Sequence, residues 1–348
     1  MRINEILQSN VYHLDENMYL PDSWIELYND SDEDIDLNGW TIAEGKKNIH
    51  SYTLNDGQFM PMGELPWRKI QSTVIPAKGY ALIYCDEEGV GMHSSFKLDN
   101  EKNHSLWLYN ANGVLVDSLV KIPALLYPDV SYGRVEGNDT LFSHFASSSP
   151  MRENDNVKSE KVAPEVEFSQ HGGIFFNPIL VELSVEADSL NDYIYYTLDG
   201  SEPTQSSLTY SSPIRIDKTT VLRTRVLKNG LLPRNTQTQS FMFPDHEISL
   251  PILSLAIDSR YLNDDFAGIY SGRKCAGYAQ WDSMGNYVGN RYRYASIEYY
   301  NSRNKKGNDF NQPVLLRIGG GATRTYEQKS FVVKTNKYLP KKSFESAL

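Results

Sequence analysis

The residues whose types and spacing favour chemistry lie near the C-terminal end, around three consecutive glycines. Gly319, Gly320 and Gly321 follow an apolar run predicted to be a strand, and Arg324 and Lys329 come shortly after them. Consecutive glycines allow backbone conformations in which several amide N–H groups point at one anion. Arginine adds a planar fork of donors and lysine a mobile point charge. These five residues are predicted to bind a phosphate group, and the alternative is a plain turn between two strands.

Other catalytic constellations are missing from the sequence. The seven histidines are scattered, without the spacing of a zinc site, and neither a nucleophile elbow nor a phosphate-binding P-loop occurs. Asp199 and Glu202 lie on a predicted turn with no apolar pocket to separate their pKa values, which argues against paired-acid glycosidase chemistry. We therefore predict neither a metal site nor a catalytic residue in this chain.

An acidic run from Asp30 to Asp36 has two interpretations. Its carboxylates are hard oxygen ligands of the kind that calcium prefers. The run lacks the glycine at the sixth position and the distal glutamate of a helix-loop-helix calcium site, which favours a solvated turn between strands.

Composition limits the class of protein. The chain has 348 residues, of which 40% are hydrophobic and 22% charged, so we expect two or three globular domains. Its 23 tyrosines and 13 phenylalanines, with frequent turn residues between them, favour β structure. A net charge of −10 argues against general nucleic-acid binding. No apolar run is long enough to span a bilayer, and the sequence opens on a predicted strand rather than a signal peptide.

Basic residues concentrate at the C-terminal end of this acidic chain. Ten basic residues from Arg303 onward face only Asp309, Glu327 and Glu345. Such a basic end suits a lobe that handles phosphate. It equally suits a domain whose acidic half lies elsewhere.

Short apolar runs separated by turn residues predict strands along most of the chain. In the first 145 residues they cover 3–7, 24–28, 40–42, 74–75, 80–85, 106–109 and 114–120, and Asn112-Gly113 marks a hairpin. A second series covers 179–185, 193–198, 213–216, 221–227 and 239–242. The fold predicted is mainly β: two antiparallel β-sandwiches at 1–145 and 164–245, a linker at 146–163, and a partial α+β lobe at 246–348.

The first region resembles the bacterial lamin-tail domain. The resemblance rests on Ile3-Asn-Glu-Ile6, Asp22-Ser-Trp-Ile-Glu-Leu-Tyr-Asn29, Asp36-Leu-Asn-Gly-Trp40, Val74-Ile-Pro-Ala-Lys-Gly-Tyr80 and Ser131-Tyr-Gly-Arg134. It implies an immunoglobulin-like sandwich that accompanies exported bacterial proteins and carries no catalysis.

The second region resembles the C-terminal domain of chitobiase and β-hexosaminidase. Tyr195-Tyr-Thr-Leu-Asp-Gly-Ser-Glu-Pro-Thr204, Pro213-Ile-Arg-Ile216 and Thr220-Val-Leu-Arg-Thr-Arg225 carry the resemblance. It implies another small sandwich, which is attached to glycosidases but lacks their active site.

The third region resembles the opening of a CotH kinase domain. The match lies in Arg317-Ile-Gly-Gly-Gly-Ala-Thr-Arg324 and Gln328-Lys329-Ser330, with Leu250 to Asp258 and Gly268-Ile-Tyr270 upstream. Gly319 and Thr323 depart from the family pattern, which often has His or Arg and usually Ser there. The resemblance implies an atypical kinase using ATP and a divalent metal, with Arg324 and Lys329 near the phosphates. The family's acidic metal-binding and catalytic residues would lie beyond Leu348, so the chain by itself is expected to be inactive and to hold no cofactor.

Together these features predict an exported bacterial surface protein, extracellular or in the cell envelope. Its expected partner is a secreted or surface protein substrate or a cell-surface glycan. The alternative is a non-catalytic adhesion or glycan- or protein-binding protein, in which the third region is only a scaffold. In a third interpretation the sandwiches only space the kinase lobe from the cell surface.

Overall fold

The structure is a computed structural model that describes residues 1–10, 23–45, 49–56, 72–98, 103–124, 127, 129–154, 158–159, 161–264, 268–271, 292–301, 310–335 and 344. The described residues fall into two compact units, one within Met1–Lys161 and the other from Val162 onward. The sequence at 276–290 is rich in Gly, Tyr and Asn and favours a surface insertion, and that at 303–307 favours a charged turn; both lie outside the described residues.

The first unit is built from twelve described strands. They are β1 (Arg2–Leu7), β2 (Ser23–Tyr28), β3 (Ile35–Asp36), β4 (Thr41–Gly45), β5 (Ile49–Thr53), β6 (Val74–Ile75), β7 (Tyr80–Cys85), β8 (His104–Tyr109), β9 (Leu115–Ile122), β10 (Ser131–Val135), β11 (Asn138–Phe145) and β12 (Lys158–Ser159). One sheet has the order β12-β11-β10-β1-β2-β7 and a second the order β5-β4-β8-β9, with antiparallel pairing throughout.

Apolar side chains from the two sheets form one core. Ile25 and Ile83 from the first sheet and Ile42, Leu106 and Leu108 from the second are all fully buried in the same cluster. The alternation of buried and half-buried residues along β8 is that of a strand with one face on a core. The predicted sandwich is therefore confirmed as a mainly antiparallel β fold.

The second unit contains the remaining strands and little helix. They are β13 (Lys161–Val162), β14 (Glu167–Phe168), β15 (Gly173–Ile174), β16 (Ile179–Val181), β17 (Leu183–Ser184), β18 (Ile194–Thr197), β19 (Leu208–Thr209), β20 (Ile214–Ile216), β21 (Thr220–Val226), β22 (Leu231–Leu232), β23 (Gln237–Met242), β24 (Ile252–Ala256), β25 (Arg293–Tyr300), β26 (Phe310–Ile318) and β27 (Phe331–Lys334). The helix α1 spans Ser259–Asn263, and 3-10 turns span Asp188–Tyr193 and Ala322–Thr325. No helix in the described part of the chain is long and apolar enough to cross a membrane.

Two main sheets share this unit. One has the order β15-β23-β21-β18-β19 and the other β24-β25-β26-β27. Each has its own apolar cluster, containing Ile194, Leu222 and Phe241 in one case and Ile297 and Leu316 in the other.

A buried polar seam joins these two sheets. Glu298 on β25 is fully buried, and its carboxylate accepts hydrogen bonds from the Ser240 amide at 3.1 Å, from the Ser240 hydroxyl and from the Tyr300 hydroxyl at 2.7 Å. Thr238 and Ser296 share a hydrogen bond of 2.9 Å beside it. The C-terminal sheet is thus attached to β23 of the preceding sandwich through specific hydrogen bonds rather than by a flexible linker.

Candidate functional site

The three glycines form the turn of an antiparallel hairpin, as predicted. β26 pairs with β27 from Leu315↔Lys334 to Ile318↔Phe331. The amide of Gly319 donates to the Ser330 carbonyl at 2.7 Å and therefore closes the hairpin rather than facing a ligand. Gly320 has φ +94°, in a region that favours glycine, and both Gly320 and Gly321 are exposed. Of the predicted cradle, Gly320 and Gly321 are the two glycines that lie at the surface.

Arg324 and Lys329 both lie in the turn of this hairpin. Both side chains are half-buried, and both bond to carbonyls of the same turn. The Arg324 Nε donates to the Gly320 carbonyl at 2.5 Å, and the Lys329 Nζ donates to the Tyr326 carbonyl at 2.7 Å. The Lys329 ammonium also lies 5.1 Å from the centre of the Tyr270 ring. The two cations are therefore held in place by the turn itself.

Two more cations of this hairpin, Arg317 and Lys334, lie next to Tyr292. The Arg317 Nε donates to its hydroxyl at 2.8 Å, and the Lys334 ammonium lies 5.1 Å from its ring centre. Burial raises the pKa of Tyr292, but hydrogen bonds and charge from Arg317 and Lys334 outweigh burial and bring that pKa below its usual value. The strands beside the turn thus add two further cations.

The turn offers hydrogen-bond donors that suit a phosphate group, but its described part has no group of carboxylates for the Mg²⁺ that accompanies ATP. Two exposed glycines and two positioned cations supply the donors that phosphate oxygens accept. Among the described residues, the group of three His, Asp or Glu side chains close enough to share an ion lies in the first unit, at Asp86, Glu88 and His93. Among the described residues, the hairpin therefore has partners for phosphate oxygens but no group of carboxylates that could bind Mg²⁺.

A surface groove lies on the middle sandwich. It has a volume of about 520 Å³ and is lined by β18, β19 and the turn that joins β20 to β21. Tyr196 and the exposed Leu208 supply apolar surface, while Asp199, Arg215 and Asp217 supply charge. This mixture of apolar and charged groups suits a polar ligand such as a sugar or an extended peptide.

The two carboxylates of the Asp199–Glu202 turn have separate roles. The hydroxyl and the amide of Ser201 donate to Asp199 and hold its pKa below the usual value. Glu202 is buried in an ion pair with the fully buried Arg223, and it also accepts from the Thr236 hydroxyl at 2.5 Å. Glu202 is therefore a structural residue, and the arrangement is not that of a glycosidase acid pair.

The acidic run is a solvated turn. Asp34 accepts a hydrogen bond from the Ala77 amide at 3.0 Å, Asp32 pairs with Lys78 at 3.1 Å, and Asp36 accepts from the Asn38 amide at 2.9 Å. Because these carboxylates turn to different partners, they do not converge on one ion. Trp24 is fully buried, as its place in an apolar run favours, and so is Cys85. Cys275 lies outside the described residues.

Two clusters of titratable groups were missed by the sequence analysis. Asp86, Glu88 and His93 come together on the loop after β7, and the pattern Asp-x-Glu-x4-His across a glycine-rich turn was the available signal. Glu5 and Glu26 are fully buried neighbours on β1 and β2. No spacing rule could have paired them, because a strand of hydrophobic residues with one acid reads as a half-exposed strand.

Part of the predicted linker at 146–163 covers the buried carboxylates of Glu5 and Glu26. Ser149 donates its amide to Glu5 at 3.0 Å, and the Met151 amide donates to Glu26. Asn154 is buried beside them and donates to the Asn4 carbonyl at 3.3 Å. Residues 148–154 are therefore part of the first unit's packing.

Comparison with protein families identifies two modules in the chain. Residues 2–122 match the model of the Lamin Tail Domain, and residues 170–238 match the model of the Chitobiase/beta-hexosaminidase C-terminal domain. Neither the curated proteins nor the solved structures gave a match. The matches confirm a lamin tail domain at the N-terminus and a chitobiase-type C-terminal domain in the middle, both accessory β-sandwiches.

Proposed function

We propose that these accessory sandwiches belong to an exported bacterial surface protein and carry the beginning of a CotH-like atypical kinase domain. In this proposal the hairpin of β26 and β27 contacts the phosphates of ATP. Arg324 and Lys329 neutralise phosphate charge, and the amides of Gly320 and Gly321 donate to phosphate oxygens. Bound Mg²⁺ would neutralise further charge on the phosphates.

The observation that supports this proposal is the positioning of two cations on one glycine turn. Phosphoryl transfer depends mainly on positioning and charge neutralisation, so a pre-formed cationic turn is the element that such a lobe needs. The side chains now bond to turn carbonyls, and phosphate binding would exchange those contacts for stronger charge-assisted ones. Gly319 serves the hairpin rather than the ligand.

The test is ATP–Mg²⁺ binding by the whole protein. We expect Arg324→Ala and Lys329→Ala each to weaken binding about tenfold, the effect of one lost charge-assisted hydrogen bond. Lys158→Ala, which removes an exposed charge in the first unit, should leave binding unchanged. If both hairpin variants bind ATP as well as the parent protein, the phosphate assignment is wrong.

A second candidate function is non-catalytic binding of a glycan or protein, and the groove on the middle sandwich favours it. The other feature expected of a glycan-binding face, a row of exposed aromatic rings, is not seen among the described residues of either sandwich, where Phe176 is the exposed aromatic. The groove is thus the surface to test.

Glycan-array binding distinguishes the two candidates. Leu208→Asp places a charge in the groove and should abolish array signals that depend on it. Leu180→Asp, at a position equally exposed but outside the groove lining, is the matched control. Equal array signals from both variants would exclude the groove.

A further inference from the structure

We propose that Asp86, Glu88 and His93 form a binding site for a divalent transition metal of the Zn²⁺ class. One ligand atom from each of the three side chains lies within 4.8 Å of the other two. Zinc takes carboxylate oxygen and imidazole nitrogen at about 2.0–2.2 Å, so two ligands of one ion are at most roughly 4 Å apart. The three atoms therefore need to close by only about 1 Å around an ion.

Two of the three ligands are already held in position. The Asp86 side chain is only 4% exposed, and one of its oxygens lies 2.5 Å from the His93 Nδ1. Its other oxygen accepts from the Glu88 amide at 3.2 Å. The Tyr84 ring stacks on the His93 ring with centroids 5.0 Å apart. Such outer contacts fix the orientation of ligands before a metal arrives.

The loop backbone shapes the site. Glu87, Gly89 and Gly91 all have positive φ, and the amides and carbonyls of Val90 and His93 bond to each other at 2.9 and 3.0 Å. This tight turn places the His93 side chain next to Asp86, while Glu88 is exposed to solvent. Glu88 is therefore the ligand that closes the site from the solvent side.

The ligand set selects the class of ion. An imidazole nitrogen disfavours Ca²⁺ and Mg²⁺, which prefer all-oxygen sites, and suits Zn²⁺ and its neighbours. The metal would take the place of the hydrogen bond between Asp86 and His93. Three protein ligands leave a fourth position for water.

Calorimetric titration of the whole chain with ZnCl₂ tests the site. We expect one Zn²⁺ per chain, with no comparable binding of CaCl₂ or MgCl₂. Glu88→Gln and His93→Gln should each weaken Zn²⁺ binding at least about tenfold, since loss of an outer-shell partner alone costs 10–100-fold. Because Glu88 is exposed, its variant keeps the fold, which an unchanged Tm without metal verifies.

His246 provides the matched control. Its Nδ1 lies 2.5 Å from Asp245, like His93 beside Asp86, but both side chains are at least 78% exposed and they belong to no three-ligand group among the described residues. His246→Gln should bind Zn²⁺ as the wild type does. Unchanged affinity in both Glu88→Gln and His93→Gln, or an equal loss in His246→Gln, would overturn the proposal.

Discussion

Glu5 and Glu26 are the residues through which pH is expected to act on the first unit. Burial raises the pKa of Glu5 to about 7 and that of Glu26 to about 8, and the neighbouring Glu5 charge adds to the effect on Glu26. Hydrogen bonds to the carboxylates lower both values without offsetting burial. Since the folded state holds these protons more tightly than the unfolded state, the stabilisation is complete below pH 4.5 and is lost as pH rises through 7 and 8.

Glu26→Gln should therefore flatten the pH dependence of the first unit's stability. The wild type is expected to lose on the order of 8 kcal/mol of unfolding free energy between pH 4 and pH 9, because both glutamates have raised pKa values, and the variant only the Glu5 part, roughly 3 kcal/mol. Urea denaturation at a series of pH values measures this. Glu33→Gln, in the exposed turn, should keep the wild-type slope, and an equal slope in Glu26→Gln would contradict the assignment.

Arg223 and Glu202 form the corresponding buried charge pair in the second unit. Arg223 is fully buried and also donates to the Gly200 carbonyl at 2.9 Å. Arg223→Met should cost about 3–5 kcal/mol, because it leaves a buried carboxylate without its partner. Adding Glu202→Gln should recover part of that loss. Chemical denaturation of both variants checks the pair, and the absence of any recovery would show that Arg223 acts through packing alone.

At the scale of elements, the hairpin of β26 and β27 depends on the backbone of its turn. Gly320 has a positive φ, and a Cβ added there would crowd the Thr323 Oγ1. Gly320→Ala should therefore destabilise the second unit by about 1–2 kcal/mol from φ alone, with an added penalty from the crowded hydroxyl. Thermal unfolding measures the change.

Two comparisons separate these causes. Gly113→Ala has the same positive φ without an atom within 4 Å, so it should show only the backbone penalty. Thr323→Ala combined with Gly320→Ala should remove the crowding and leave the backbone part. A Gly320→Ala protein as stable as the wild type would mean that the turn adapts freely.

The polar seam is the second element with measurable consequences. Glu298→Ala leaves the Ser240 amide without its buried acceptor, at about 1–3 kcal/mol, while the Tyr300 hydroxyl keeps the Ser240 carbonyl as a partner at 3.0 Å. Glu298→Gln retains an acceptor oxygen of the same size and should cost less. Hydrogen exchange at β23 and β25 should accelerate in Glu298→Ala, and unchanged exchange there would contradict the role of the seam.

At the scale of the whole molecule, the two compact units have separate apolar cores. We expect two calorimetric unfolding transitions. Glu26→Gln should move one of them, while Arg223→Met and Glu298→Ala should both move the other. A single variant that shifts both transitions equally would show that the units unfold together.

The sequence by itself determined the positions of several strands and the two accessory modules. The apolar runs at 24–28, 80–85 and 106–109 coincide with β2, β7 and β8, because short apolar runs bounded by turn residues favour strands that bury their side chains. Asn112-Gly113 and Asp199-Gly200 form the turns expected of them, and both glycines have positive φ. Strands and turns of this kind can be predicted because they depend on residues that are adjacent in the sequence.

Only the tertiary structure decided which distant polar residues meet. It paired Glu5 with Glu26, enclosed both under residues 148–154, and placed Glu298 against Ser240 across two sheets. It also assigned the Gly319 amide to Ser330 and brought His93 back to Asp86. These contacts depend on strand order and loop path, which neither composition nor periodicity specifies, because the hydrophobic pattern fixes which face is buried and not what lies against it.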